Sequence, residues 1–142
     1  MKTEKIDVAI IGAGLSGVGA AVHLGKHCPD KSVALFEGRK AMGGTWDLFR
    51  YPGIRSDSDM YTLGYNFKPW TNPKAIADGE SIREYIHETA REYGVDKKIR
   101  YQHKVLSANW DSNKGRWTLK MARGDDGETV LVESQFVICA SG

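Results

Sequence analysis

The sequence predicts an α/β domain with a parallel sheet. Three observations predict it: the apolar run Ile6–Ile11, the cluster Gly12-Ala13-Gly14-Leu15-Ser16-Gly17 directly after it, and a second apolar run, Val33–Phe36, that closes on Glu37. The first run is broken only by Asp7, which suits a strand buried on both faces. The glycine cluster has the G-x-G-x-x-G spacing, where the first glycine makes the turn, the second admits a pyrophosphate and the third lets helix and strand pack closely. Ala20, Ala21, Val22 and Leu24 continue as a helix that Lys26-His27-Cys28-Pro29-Asp30 ends. Glu37 stands about 20 residues past Gly17, where a carboxylate accepts hydrogen bonds from an adenosine ribose. Strand, glycine turn, helix, strand and acid together make a Rossmann-like dinucleotide site. A carboxylate there repels a 2′-phosphate, which favours FAD or NAD over NADP.

Residues 38 to 79 read as a long, mostly irregular insertion. Gly43-Gly44-Thr45-Trp46 is expected to be a loop rather than a helix, and Tyr51-Pro52-Gly53 a turn. Trp46, Phe49, Tyr51, Tyr61, Tyr65, Phe67 and Trp70 give this segment too many aromatics for disorder, and loops of such length are usually functional. A helix is expected from Asp78-Gly79-Glu80-Ser81, with Ile82, Tyr85, Ile86, Thr89, Ala90 and Tyr93 on one stripe and Gly94 stopping it. Short strands follow at Ile99–Tyr101, Val105–Trp110, Arg116–Ala122 and Thr129–Glu133, the last three forming a three-stranded antiparallel β-meander. Phe136–Cys139 is expected to be a further, buried strand of the parallel sheet.

Composition bounds the class. The 142 residues, 41% of them hydrophobic, suffice for one domain with a core. With 20 basic and 18 acidic side chains the net charge is +2, and no run of like charges suggests a nucleic-acid partner. The beginning, MKTEKIDVAI, enters the first strand without a signal peptide, and no apolar stretch approaches the roughly 18 residues of a membrane helix. A cytoplasmic protein, or one peripheral to a membrane, is the expectation. Cys28 and Cys139 read as reduced thiols.

Several constellations carry less. His23 and His27, with Cys28 beside them, have metal-ligand spacing but no third ligand, so no metal is expected. Tyr93 and Lys97 imitate a Tyr-x-x-x-Lys pair, yet Gly94 breaks the helix between them. Trp110 and Trp117 read as a cross-strand pair.

The glycine motif with its glutamate, Gly43-Gly44-Thr45-Trp46, Tyr51-Pro52-Gly53-x-Arg55-x-Asp57 and Ala140-Ser141-Gly142 together resemble the FAD-binding N-terminal part of the Baeyer–Villiger monooxygenases. Over Gly43–Trp70 the ethionamide-activating branch is the most similar. The resemblance implies an enzyme in which NADPH reduces FAD and O2 then supplies oxygen to a ketone, giving an ester, or to a sulfide. It puts Gly12, Gly14, Ser16 and Gly17 at the pyrophosphate and Glu37 at the ribose. Gly44, Thr45, Trp46, Asp47 and Leu48 would line the path toward the flavin ring, and Val105 would meet the adenine. Arg55 and Ser56 would border the nicotinamide nucleotide, and Asp57 would be the catalytic-site acid beside the flavin.

The family's second G-x-G-x-x-G and its Phe-x-Gly-x-x-x-His-x-x-x-Trp fingerprint are missing, so residues 1–142 are expected to be a FAD-binding fragment with the NADPH site mostly outside it. Trp46, Tyr51, Tyr61, Tyr65 and Trp70 should then be partly stranded at the surface, favouring self-association. Other readings are a flavin-containing N- or S-monooxygenase and a non-catalytic nucleotide-binding module. A disulfide reductase lacks its C-x-x-C or C-x4-C pair here.

Overall fold

The computed structural model describes residues 3–141, so Gly142 of the Ala-Ser-Gly motif lies outside the described residues. A six-stranded mixed sheet runs in the order β3-β2-β1-β6-β5-β4. Its strands are β1 (Glu4–Ile11), β2 (Val33–Phe36), β3 (Ile99–Arg100), β4 (His103–Asp111), β5 (Arg116–Arg123) and β6 (Glu128–Cys139). The expected parallel core is present: β1 pairs with β2 through Val8–Val33 to Ile11–Phe36, and β2 with β3 at Leu35–Ile99. The meander is present too, with Trp110 opposite Trp117 and their rings 5.6 Å apart, edge to face.

One expectation is corrected here. Thr129–Glu133 and Phe136–Cys139 are not two strands but one, β6, unbroken across the polar pair Ser134-Gln135. Its first half pairs antiparallel with β5 (Arg123–Glu128 to Trp117–Ser134) and its second half parallel with β1 (Glu4–Val132 to Ile11–Cys139). Val132, Glu133 and Ser134 are therefore flanked on both sides. Ser134 tolerates this because its hydroxyl donates to the Phe136 carbonyl at 2.6 Å, with the Asp7 carbonyl at 3.2 Å, so the buried Oγ is itself not left unmet.

Helix α1 (Leu15–His27) and helix α4 (Gly79–Glu92) cover one face of the sheet. Val8, Ile10 and Leu35 meet Val18, Ala21, Val22, Ile82 and Ile86 there. Phe36, Ala9 and Ala34 point into a second core with Leu119, Met121 and Val132 of the meander. Each large side chain so buried contributes about 1.5–3 kcal/mol. Helix α4 buries the expected stripe from Ile82 to Ala90, and Gly94 at φ 73° lets the chain leave it.

Within 38–79 the chain is mostly irregular, with two one-turn helices, α2 (Thr45–Leu48) and α3 (Met60–Leu63). A helical turn directly after Gly43-Gly44 departs from the expected loop. Both glycines take positive φ, and their backbone starts the turn that Thr45 continues, with Asp47 and Leu48 N–H donating to Gly44 O. The expectation of stranded aromatics is half corrected. Trp70 is 7% exposed, its indole N–H donating to Lys74 O, and Tyr65 stacks between Phe67 and Tyr85 at 4.7 and 5.6 Å. Tyr51 and Tyr61 are exposed, at 61% and 65%.

Candidate dinucleotide site

The strand order reverses at β1: its connection through α1 goes to β2 on one side, while β6 lies on the other. Ligands in open α/β sheets bind outside the carboxyl ends of the strands at such a point. A groove of about 530 Å³ lies there, within the range that holds small molecules and cofactors. Its floor is Ile11–Ser16 with Ala140 and Ser141, one wall is Phe36–Arg39, another is Gly43–Trp46 with Leu48, and His103–Val105 closes the end.

The floor is made by backbone contact. Gly12 sits at φ 108°, and a Cβ on it would lie 2.5 Å from Ala140 O, so only glycine makes this turn. A Cβ on Gly14 would come 3.3 Å from Gly44 Cα, because the two loops abut and Gly43 N–H donates to Ala13 O at 2.9 Å. Helix α1 starts at this floor with Gly14 as its N-cap, no side chain capping it and no acid in its first turn. Its first N–H groups and positive dipole end are thus open to an anion.

Glu37 stands on the groove wall, 9% exposed, its carboxylate oxygens accepting from Ala13 N–H at 2.9 Å and Arg39 N–H at 3.1 Å. Two backbone donors hold it in one orientation and leave lone pairs for a ligand hydroxyl. Burial, followed by the Glu37 charge, raises the pKa of the nearby Tyr101 phenol.

Most of the sequence-predicted binding residues are brought together. Gly12, Gly14, Ser16, Glu37, Gly44, Thr45, Trp46, Leu48 and Val105 all line the groove. Gly17 does not; it is buried behind the floor, where a Cβ would strike Gly12 O at 2.1 Å.

Asp47 does not line it either. The side chain is 4% exposed and turned into a group of arginines: Arg39 Nη1 at 2.9 Å, Arg50 Nη2 at 2.5 Å and Arg83 Nη1 at 4.0 Å. His87 of α4 lies near this cluster, and burial, then the Arg83 charge, lowers its pKa.

Arg55, Ser56 and Asp57 also stay out of the groove. Arg55 lines a second cleft of about 560 Å³ with Arg50, Lys74 and Arg83, which shares Trp46 with the first. Ser56 is buried against Ala77, accepting its N–H at 3.2 Å, and Asp57 is exposed and lines neither cavity.

Sequence reasoning missed Arg39 and Lys104 on the groove wall. Their only signal is position, two residues past Glu37 and one before Val105. Elsewhere His23 and His27 stack at 6.0 Å, with His23 edge-on to Phe67, so these rings serve the helix surface.

Known proteins share this fold. The family of NAD(P)-binding Rossmann-like domains matches residues 10–72. The FAD-containing monooxygenase EthA of Mycobacterium tuberculosis is 55% identical over 140 residues, covering 99% of this chain and 28% of EthA. Among solved structures, a steroid monooxygenase bound to NADP superposes with a TM-score of 0.85 at 29% identity, over 97% of this chain and 26% of that one. A cyclohexanone-bound cyclohexanone monooxygenase superposes with a TM-score of 0.85 at 25% identity, over 99% and 27%. Sequence and fold thus relate nearly the whole chain to the FAD-containing monooxygenases, of which it spans 28% of the length of EthA.

Proposed function

We propose that the chain is the FAD-binding portion of an NADPH- and O2-dependent flavoprotein monooxygenase that converts ketones to esters or oxidises sulfides. The observation that carries this reading is the uncapped start of α1 and the fixed Glu37 carboxylate facing one groove at the switch point of the sheet. A pyrophosphate fits the open N–H groups of α1, where Gly12 and Gly14 keep side chains out of the way. A ribose fits beside Glu37, and the wall at His103–Val105 would take the adenine. Thr45, Trp46 and Leu48 would flank the path toward the flavin ring. FAD, when bound, would accept hydride from NADPH and activate O2.

The matched region is 28% of EthA, and we place most of the NADPH site, with the substrate pocket, outside it. Asp57, exposed here, would act only against a partner group supplied from there. Residues 1–142 would then be one FAD-binding domain that cannot oxidise NADPH alone. A cytoplasmic location and self-association through exposed Tyr51, Tyr61 and Phe136 belong to the same proposal. No helix among the described residues is long and apolar enough to cross a membrane.

Titration of this chain with ADP and with FAD, read by calorimetry and flavin fluorescence, tests the reading. ADP should bind, and FAD no more tightly than ADP. Glu37→Ala should weaken either by about 1–3 kcal/mol through lost ribose hydrogen bonds. Gly14→Val should abolish both, since a side chain there meets Gly44 and the pyrophosphate. A yellow, flavin-loaded Gly14→Val protein would overturn it.

A further inference from the structure

We propose that Asp47 is a specificity-determining residue of the groove: by pairing with Arg39 it keeps that guanidinium from serving a 2′-phosphate. The site then takes an adenosine with a free ribose, as FAD has, and refuses its 2′-phosphorylated counterpart. The inference rests on reading the groove as the FAD site.

The charges nearest the ribose end are Glu37, Arg39 and Lys104. Glu37 is fixed by two backbone N–H groups and repels a 2′-phosphate. Arg39 has the opposite tendency, because an arginine beside the ribose is the device by which dinucleotide folds accept that phosphate, with forked N–H donors matched to it. Its side chain is 39% exposed and lines the groove. Among the described residues only Asp47 pairs with it: Nη1 lies 2.9 Å from Oδ2 as a charge contact without the alignment of a hydrogen bond. A guanidinium held by charge alone can be redirected when the charge goes. Arg50 and Arg83 crowd the same carboxylate from the second cleft, so one buried acid faces three cations. Removing its charge leaves Arg39 as the uncompensated member that reaches the groove.

The discrimination matters to an enzyme fed by NADPH. That cofactor carries the same ADP core as FAD plus a 2′-phosphate, and would compete for an indifferent groove.

The test compares ADP-ribose with 2′-phospho-ADP-ribose, a pair that differs only in the phosphate, by calorimetry on the 142-residue chain. The unaltered chain should prefer ADP-ribose by about tenfold or more, the cost of setting a phosphate against Glu37. Asp47→Asn, which keeps the shape and removes the charge, should bring the ratio toward one by strengthening the 2′-phospho ligand. Adding Arg39→Gln to it should restore the preference. An unchanged ratio in a folded Asp47→Asn protein, or a collapse that persists without Arg39, overturns the proposal.

If Asp47→Asn does not fold, Arg39→Gln alone decides. With its guanidinium held on Asp47, which Arg50 and Arg83 also compensate, losing Arg39 should leave the preference close to that of the unaltered chain, whereas a preference raised about tenfold or more shows that Arg39 already serves the 2′-phosphate and overturns the idea. Equal binding of both nucleotides by the unaltered chain defeats the specificity proposal alone. Binding of neither defeats it together with the FAD reading.

Discussion

The groove floor and the segment above it are built by opposite means. From Ile11 to Gly17 the backbone packs on backbone, and at three positions a side chain is excluded: Gly12 against Ala140, Gly14 against Gly44, Gly17 against Gly12. From residue 38 to 79 the reverse holds, because regular structure is scarce and side chains carry the order. Tyr65 donates to Leu15 O, Tyr85 donates to Lys68 O and accepts from Tyr65 N–H, and Asp47 gathers three arginines. The floor should therefore fail when an atom is added and the upper segment when atoms are removed.

The largest expected effect is in the upper segment. Trp70→Ala should cost about 3–5 kcal/mol, read from the urea midpoint, because the ring is 7% exposed and packs edge-on to Tyr85 at 5.3 Å. A loss below about 1 kcal/mol would show that the segment is not held by its aromatics.

Gly17→Ala is the matching test of the floor. One methyl, 2.1 Å from Gly12 O, should cost about 1–3 kcal/mol or more and weaken ADP binding by displacing the turn. The same change at Gly25, where a Cβ would meet nothing, should be stabilising or neutral.

The tyrosines give a smaller, pH-dependent effect. Burial raises the Tyr65 and Tyr85 phenols above the ordinary 10.0. Because their folded pKa values exceed the unfolded ones, their contribution is complete below pH 10 and is lost as pH rises through the folded values. Urea midpoints should hold between about pH 7 and 9 and fall above 10, and Tyr65→Phe should flatten that fall. A Tyr65→Phe protein with the same alkaline decline would place the titration elsewhere.

The smallest effect lies outside both regions. The Arg100 hydrogen bond lowers the Glu4 carboxyl below 4.5, so this exposed pair adds at most about 1 kcal/mol, present above pH 4.5 and lost as pH falls through the folded value. Glu4→Gln should leave the midpoint at pH 7 lower by that amount or less.

The same contrast explains what could be read from the residues. Gly12, Gly14, Gly17 and Glu37 are legible because backbone-built sites demand particular residues at fixed spacing over a short span. The α4 stripe was legible for the same reason, its period being local. Asp47 was not: nothing near it in sequence announces Arg83, and only the fold shows the carboxylate turned from the groove. Trp70 and Tyr65 were expected at the surface because their partners, Tyr85 and Leu15, are 15 and 50 residues away. Strand β6 reads as two runs because the polar pair Ser134-Gln135 interrupts the apolar residues, and the Asp7 carbonyl that Ser134 reaches is visible only once β1 lies alongside.

That shared strand has a kinetic consequence. β1 finds β2 after a short helical crossover, but its other edge waits for β6, whose Cys139 pairs with Ile11 from about 130 residues away. At about 5–20 residues per second, a ribosome delivers β6 roughly 6–26 seconds after β1. Pairings so distant in sequence close slowly. Through that interval β1 presents an unpaired apolar edge beside Ile10 and Ala9, the kind of edge that recruits strands from other chains. Yield of the native protein should therefore depend on how fast Glu128–Cys139 arrives, even where final stability is unchanged.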